Sequence, residues 1–176
     1  MPSSFDPRLT PARDDLAADF LRGAVVAPNY AKGITKCVTA PLAPLHTAPD
    51  AASGRATELL MGEGFIVYEE QNGWAWGQAI LDDYVGYVPA QALGVTEAPV
   101  THKVAVLRTF LYAEPDLKSQ MLGTLSLGAL CATGDIVDQF TQVESGAWVF
   151  TDHLKTVEDL EGDYLTTAIR FIGVPY

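Results

Sequence analysis

Two cysteines and three histidines are the residues of this chain that could support nucleophilic chemistry. A cysteine nucleophile needs a thiolate, an imidazole within hydrogen-bond reach and a third polar group to steer the base. Cys37 falls in an expected strand, and Cys131 follows Leu130 in another; neither stands at a strand-to-helix turn. They lie far apart, with no Cys-x-x-Cys pair to suggest a redox motif or a zinc knuckle, so both read as small buried hydrophobes. His46, His102 and His153 fall in a loop, a connector and a closing turn, where surface positions are expected, and they lack metal-ligand spacing such as His-x-x-x-His. The chain reads as non-catalytic, with no metal or cofactor.

Carboxylates are paired in sequence at Asp14-Asp15, Glu69-Glu70, Asp82-Asp83 and Glu158-Asp159, with Glu161 close by. General acid–base work needs two carboxylates in differing environments, which neighbours on exposed turns do not supply, so these read as solvated faces. No phosphate-binding glycine loop is present. The net charge of −11, with 11 Lys and Arg that never cluster, argues against nucleic acid and anionic membrane as partners. No apolar run approaches the roughly 20 residues that cross a bilayer. With 48% apolar and 19% charged residues the composition is globular. Met1 to Arg8 lacks a basic segment followed by an apolar stretch, and residence in the cytoplasm is expected.

The elements that position these residues are short. Asp14 to Leu21 predicts an amphipathic helix, with Leu16, Phe20 and Leu21 on one side and Gly23 ending it. From Ile34 the pattern changes to β-type runs: Ile34 to Thr39, Leu59 to Met61, Phe65 to Glu69, Trp74 to Leu81 and Tyr84 to Val88. Trp74 and Trp76 share a face, so at least one packs inward, whereas Tyr84 and Tyr87 point to opposite faces. Matched with a buried Trp148, Tyr87 is the inward one and Tyr84 stands outside.

An internal repeat organises the rest. Pro44-Leu45-His46-Thr47-Ala48-Pro49-Asp50 reads like Phe110-Leu111-Tyr112-Ala113-Glu114-Pro115-Asp116, an offset of 66 that also carries Ser53 to Ser119, Gly62 to Gly128 and Trp74 to Phe140. From Tyr87-Val88 to Trp148-Val149 the offset is 61, so the second copy is five residues shorter. The deletion falls between Gln78 and Tyr84, where Asp82-Asp83 marks a turn whose counterpart is Glu144-Ser145-Gly146; a hairpin tip tolerates it. The expected connector spans Thr96 to Thr101.

The copies resemble bacterial SH3 domains in Leu60-Met61-Gly62-Glu63, in Gly73-Trp74-Ala75-Trp76 and in Gly86-Tyr87-Val88-Pro89 with Leu93; the second copy matches less well, having Phe140 for the Trp pair. The flanks, Asp6 to Arg13 and Arg170 to Tyr176, are similar to those of SH3 pairs in NlpC-type cell-wall cysteine peptidases. There Gly-Val-Pro-Tyr leads into Trp-Gly-Gly and Asp-Cys-Ser-Gly, which holds the nucleophile; this sequence stops at Tyr176. The resemblance implies an all-β fold of two tandem SH3-like five-stranded barrels with a short N-terminal helix and a C-terminal helix. The divisions are an extension over 1–33, barrels over 34–95 and 102–155, and a final helix over 156–176 leading to an absent catalytic domain. Asp163 caps that helix, Gly173 and Pro175 stop it, and its stripe of Leu165, Ala168, Ile169 and Ile172 either packs back on the second barrel or joins a following domain.

In the resembled peptidases a Glu after Leu-x-Gly and a Tyr just before the Gly-(Trp/Tyr)-Val-Pro phrase face the free amino end of the peptide, and these fall on Glu63 and Tyr84. The implied function is positioning of muropeptides with a free N-terminal L-Ala for a hydrolase that cuts L-Ala-γ-D-Glu-diamino acid peptides during peptidoglycan recycling. The alternative is a stand-alone module whose aromatic groove binds cell-wall or proline-rich peptides.

Overall fold

The computed structural model describes residues 5–96 and 98–174. The chain divides between residues 97 and 98 into two compact units. Nearly all of its regular structure is β, as the sequence pattern anticipates.

The first unit holds β1 (Leu16–Ala18), β2 (Asn29–Ala31), β3 (Ile34–Val38), β4 (Leu42–His46), β5 (Arg55–Leu60), β6 (Gly64–Gln71), β7 (Trp74–Ala79), β8 (Val85–Pro89) and β9 (Leu93–Gly94). Seven of these form one sheet in the order β5-β4-β8-β7-β6-β3-β9. The alternation of β4, β6 and β8 sends Ala43, Leu45, Phe65, Val67 and Val88 to one face, where they form the core with Val38, Leu59 and Leu93.

The predicted N-terminal helix is not formed. Leu16, Ala17 and Ala18 are all buried, as strand β1, which pairs in parallel with β2, and a single 3₁₀ turn follows over Asp19–Leu21. Eight residues are too few for a helix to hold itself in water, so tertiary burial decides the conformation. Leu16, Ala18 and Leu21 instead cover Tyr68 and Trp76 in a second apolar cluster, while Phe20 is left exposed. The segment leading into β1 is tied to the sheet at two places. The Val85 amide donates to the Arg8 carbonyl at 2.7 Å, and the buried Gln78 side chain donates to the Leu9 and Asp83 carbonyls, each at 3.0 Å.

The second unit holds β10 (His102–Val104), β11 (Arg108–Tyr112), β12 (Met121–Ser126), β13 (Leu130–Cys131), β14 (Thr133–Val137), β15 (Phe140–Val143), β16 (Trp148–Phe150), β17 (Leu154–Thr156) and the helix α1 (Tyr164–Ile169). Its sheets run β12-β11-β16-β15-β14 and β13-β10-β17. This is the order of the first unit with the long β6 broken into β13 and β14.

The repeat is present in the backbone at the expected offsets. A register shift separates Leu45 from His46 and, 66 residues on, Leu111 from Tyr112. His46 pairs with Tyr87 and Tyr112 with Trp148, which carries both offsets at once. Gly62 and Gly128 take positive φ of 85° and 91° at the same tight turn, where a side chain would be strained. The Ser53 hydroxyl donates to the Ala48 carbonyl at 3.1 Å, and Ser119 to Glu114 at 3.1 Å. The buried set Val38, Leu45, Leu59 and Val88 recurs as Val104, Leu111, Leu125 and Val149, none more than 4% exposed. The five-residue difference is taken up at the β7–β8 and β15–β16 turns.

Some expected boundaries change. The strand from Trp74 ends at Ala79, leaving Ile80 and Leu81 exposed in the turn. Asp163 caps α1 as expected, accepting from the Leu165 amide at 2.9 Å and the Thr166 hydroxyl at 2.7 Å. The stripe of Leu165, Ile169 and Ile172 is exposed rather than folded back on its own unit. Pro175 and Tyr176, expected to stop the helix and close the flank, lie outside the described residues, as does Glu97 of the connector.

Candidate functional site

Glu63 immediately precedes β6, and Tyr84 immediately precedes β8. Because β6 begins opposite the end of β7, with the Ile80 amide donating to the Gly64 carbonyl at 3.0 Å, both residues come to one end of the first sheet. The β7–β8 turn brings a third group there. The Tyr84 amide donates to Asp82 Oδ1 at 3.2 Å, and Asp83 adopts a φ of 61° to make the turn. Burial pushes the Glu63 carboxyl above its ordinary value of 4.5, a backbone hydrogen bond from Leu60 pulls it partly back, and the negative charge of Asp82 pushes it up again. A half-buried carboxylate beside another carboxylate favours the approach of a cation. Asp82 reads in the sequence only as a turn residue; nothing there signals its field at Glu63.

Tyr84 is half-buried and packs against the inner core, whereas Tyr87 lies on the opposite face in the cluster of Trp76 and Tyr68. This reverses the expected assignment of inside and outside. The match of Tyr87 to Trp148 implies burial only if Trp148 is buried, and Trp148 is itself half-buried. The N-terminal segment supplies the cover on the outer face, so residues of both faces are shielded.

At the other end of β7 the aromatic residues line a groove of about 510 Å³. Trp76 is buried and Trp74 half-buried, and both line it, together with Tyr87, Pro49 and Asn72. Arg13 crosses its wall. The guanidinium carbon lies 4.4 Å from the Trp76 ring centre and 5.9 Å from that of Tyr87. It donates to Glu69 at 2.7 Å, to Asp15 at 3.0 Å and to the Tyr87 hydroxyl at 3.3 Å. Glu69 is therefore half-buried in an ion pair rather than a solvated face, and Glu70 pairs with Lys36.

The thiols and imidazoles take structural places. Cys131 is buried, and burial pushes its thiol up to about 11, the opposite of what a nucleophile needs. His102 stands opposite Cys131 in the β10–β13 register, but its Nδ1 lies 2.9 Å from the Thr101 hydroxyl and 3.0 Å from that of Thr133. Cys37 sits in β3 with Sγ 3.7 Å from the Val38 carbonyl oxygen. His46 is buried rather than exposed, its ring edge-on to Trp74 at 5.4 Å, because the shift in β4 turns it under the loop held by Ser53. His153 lies 5.1 Å from Phe150 with its Nδ1 2.8 Å from the Thr109 hydroxyl. Among the described residues no group of three or more His, Cys, Asp and Glu gathers as metal ligands, and no helix is long and apolar enough to cross a membrane.

The first unit is thus built on one seven-stranded sheet with a tight turn at Gly62 and a closing 3₁₀ turn over Ala90–Ala92. Residues 45–93 match the family model of the bacterial dipeptidyl-peptidase SH3 domain, so the resemblance expected from Leu60-Met61-Gly62-Glu63 and Gly86-Tyr87-Val88-Pro89 holds for the first unit. An NlpC/P60 family protein from Bacillus cereus ATCC 10987 shares the fold, with a TM-score of 0.56 and 14% identity over 70% of this chain. The chain spans 56% of that protein's length. NlpC2 and NlpC1 from Trichomonas vaginalis align at 15% and 14% identity over 76% and 81% of this chain, and over 52% and 53% of their own, with TM-scores of 0.32. No curated protein sequence matches the chain.

Proposed function

We propose that this chain is the substrate-positioning region of a cytoplasmic cell-wall peptide hydrolase, in which both units are small SH3-like barrels and the catalytic domain lies elsewhere in the protein. The ligand is a muropeptide of the L-Ala-γ-D-Glu-diamino acid type, and its free amino end is received by Glu63 and Tyr84. The observation that carries this reading is the convergence of Glu63, Asp82 and Tyr84 at one end of the first sheet, with the Glu63 carboxyl half-desolvated and, among the described residues, in no ion pair. An ammonium gains from both carboxylates, and Tyr84 adds a phenol and an apolar wall.

The test is turnover by the complete enzyme carrying Glu63→Ala, compared on peptides with free and acetylated amino ends. A hydrogen bond to a charged group contributes about 1.5–3 kcal/mol, so preference for the free amine falls by roughly tenfold or more. Unchanged preference removes Glu63 from the site.

A further inference from the structure

One buried polar side chain joins the N-terminal segment to the turn that carries Tyr84. Gln78, in β7, is 8% exposed. Its amide nitrogen donates to two main-chain oxygens, the Leu9 carbonyl and the Asp83 carbonyl, each at 3.0 Å. A buried amide is costly unless its donors are met, and here they are met by two different parts of the chain. The strand partner of Gln78 is Val85, whose amide donates to the Arg8 carbonyl at 2.7 Å. Arg8 and Leu9 are therefore held by facing residues of two adjacent strands.

The turn that Gln78 anchors is the one that sets the candidate site. Asp83 holds a left-handed φ of 61°, a conformation that a non-glycine residue keeps when its surroundings fix it. Gln78 fixes its carbonyl. The Ala79 amide takes the next carbonyl, that of Tyr84, at 2.9 Å, and the Tyr84 amide returns to Asp82 Oδ1 at 3.2 Å. Arg8 lies close enough to Tyr84 for the two side chains to interact electrostatically. The second unit has the shorter turn and, 66 residues on from Gln78, an exposed Glu144. The buried amide thus belongs to the unit that has both the long turn and the covering segment.

Resting on the reading of Glu63 and Tyr84 as receivers of the amino end, we propose that Gln78 is a positioning residue for that site. It acts through the turn rather than on the ligand. By bridging Leu9 and Asp83 it fixes Asp82 and Tyr84 against the N-terminal segment, which makes residues 8–9 part of the frame of the site.

The test compares the ¹⁵N-labelled chain with its Gln78→Met and Gln78→Asn variants, by hydrogen exchange and by titration with the dipeptide L-Ala-γ-D-Glu. Met fills the volume without a donor, and Asn keeps the amide on a stem too short to reach both carbonyls. In the parent chain the Gln78 side-chain amide protons exchange slowly, while those of the exposed Gln91 exchange fast. In each variant the Tyr84 and Val85 amides lose protection, and those of Val38 and Gly62, bonded elsewhere in the unit, keep it. Affinity of the folded variant for the free dipeptide falls about tenfold, the loss of one hydrogen bond. Fast exchange at Gln78 in the parent, or unchanged protection at Val85 in a folded variant, overturns the proposal. So does unchanged affinity where that protection is lost. Variants that lose protection at Val38 and Gly62 together with Val85 make Gln78 a core residue only, and overturn it too. A parent chain that binds the free and N-acetylated dipeptides alike refutes the amino-end reading instead, and leaves the exchange result standing.

Discussion

Replacing Arg13 with Met is expected to loosen the N-terminal segment from the first sheet and to lower the stability of that unit specifically. Its side chain is 18% exposed. It lies over Trp76 and ties β1 to β6 and β8 through Glu69 and the Tyr87 hydroxyl. A partly desolvated cation–π contact contributes about 1 kcal/mol. The charge-assisted bond to half-buried Glu69 contributes a similar amount, while the exposed Asp15 pair adds little. Met keeps the apolar stem over the indole, so the loss is about 2 kcal/mol rather than the larger value expected of Ala. The assay is urea unfolding monitored by tryptophan fluorescence in a Trp148→Phe background, which confines the signal to Trp74 and Trp76 of the first unit. Arg13→Lys should recover less than half, because a point charge cannot hold Glu69 and Tyr87 together while stacking. A change below about 0.5 kcal/mol in Arg13→Met would refute the argument that this guanidinium holds the segment down.

Gly77→Ala should cost more than about 2 kcal/mol, since an added Cβ would lie 2.1 Å from the Ile66 carbonyl oxygen and 2.6 Å from the Phe65 ring; thermal unfolding checks it. Ser53→Ala and Ser119→Ala remove the same loop bonds in the two units, and each should cost about 1 kcal/mol in its own unit by denaturant melts. The Glu63 carboxyl titrates above 4.5, so the folded chain takes up that proton more readily than the unfolded one. Acidification through this range therefore relieves the burial penalty while removing the charge an amine needs, and binding of a free amino end should fade as pH falls, beginning at a higher pH than an ordinary carboxylate's 4.5 would set, as titration calorimetry at successive pH values can show. Asp163 behaves oppositely. The Thr166 hydroxyl and the Leu165 amide hold its carboxyl below 3.8, so the cap contributes above that value and is lost as pH falls through the lower one, measured as fraying of α1 by NMR.

The β framework is legible in the sequence because its signals are local and repeated. Alternation in Phe65–Glu69 and Tyr87–Val88, the match of Gly62 to Gly128, and the offsets of 66 and 61 survive as strand register and as paired buried residues. What could not be read there is non-local. Asp14 to Leu21 has helical periodicity, but strand β2 and the outer face of Trp76 and Tyr68 offer more burial than one isolated turn of helix. Once that segment covers the sheet, the outer face is no longer solvent. This is why Tyr87 and Trp76 lie beneath Arg13 and why Glu69 is paired. The shift at Leu45/His46 likewise buries a histidine that loop chemistry placed outside. At the candidate site, Glu63 and Tyr84 follow from resemblance alone, while Asp82 enters only through the geometry of the β7–β8 turn.

The most direct test of the positioning role is ¹⁵N shift mapping of this chain with the dipeptide L-Ala-γ-D-Glu in free and N-acetylated forms. The free form should shift the amides of Glu63, Asp82 and Tyr84, with the acetylated form leaving them in place. Shifts of equal size from both forms, or shifts confined to residues away from that end of the sheet, would contradict it.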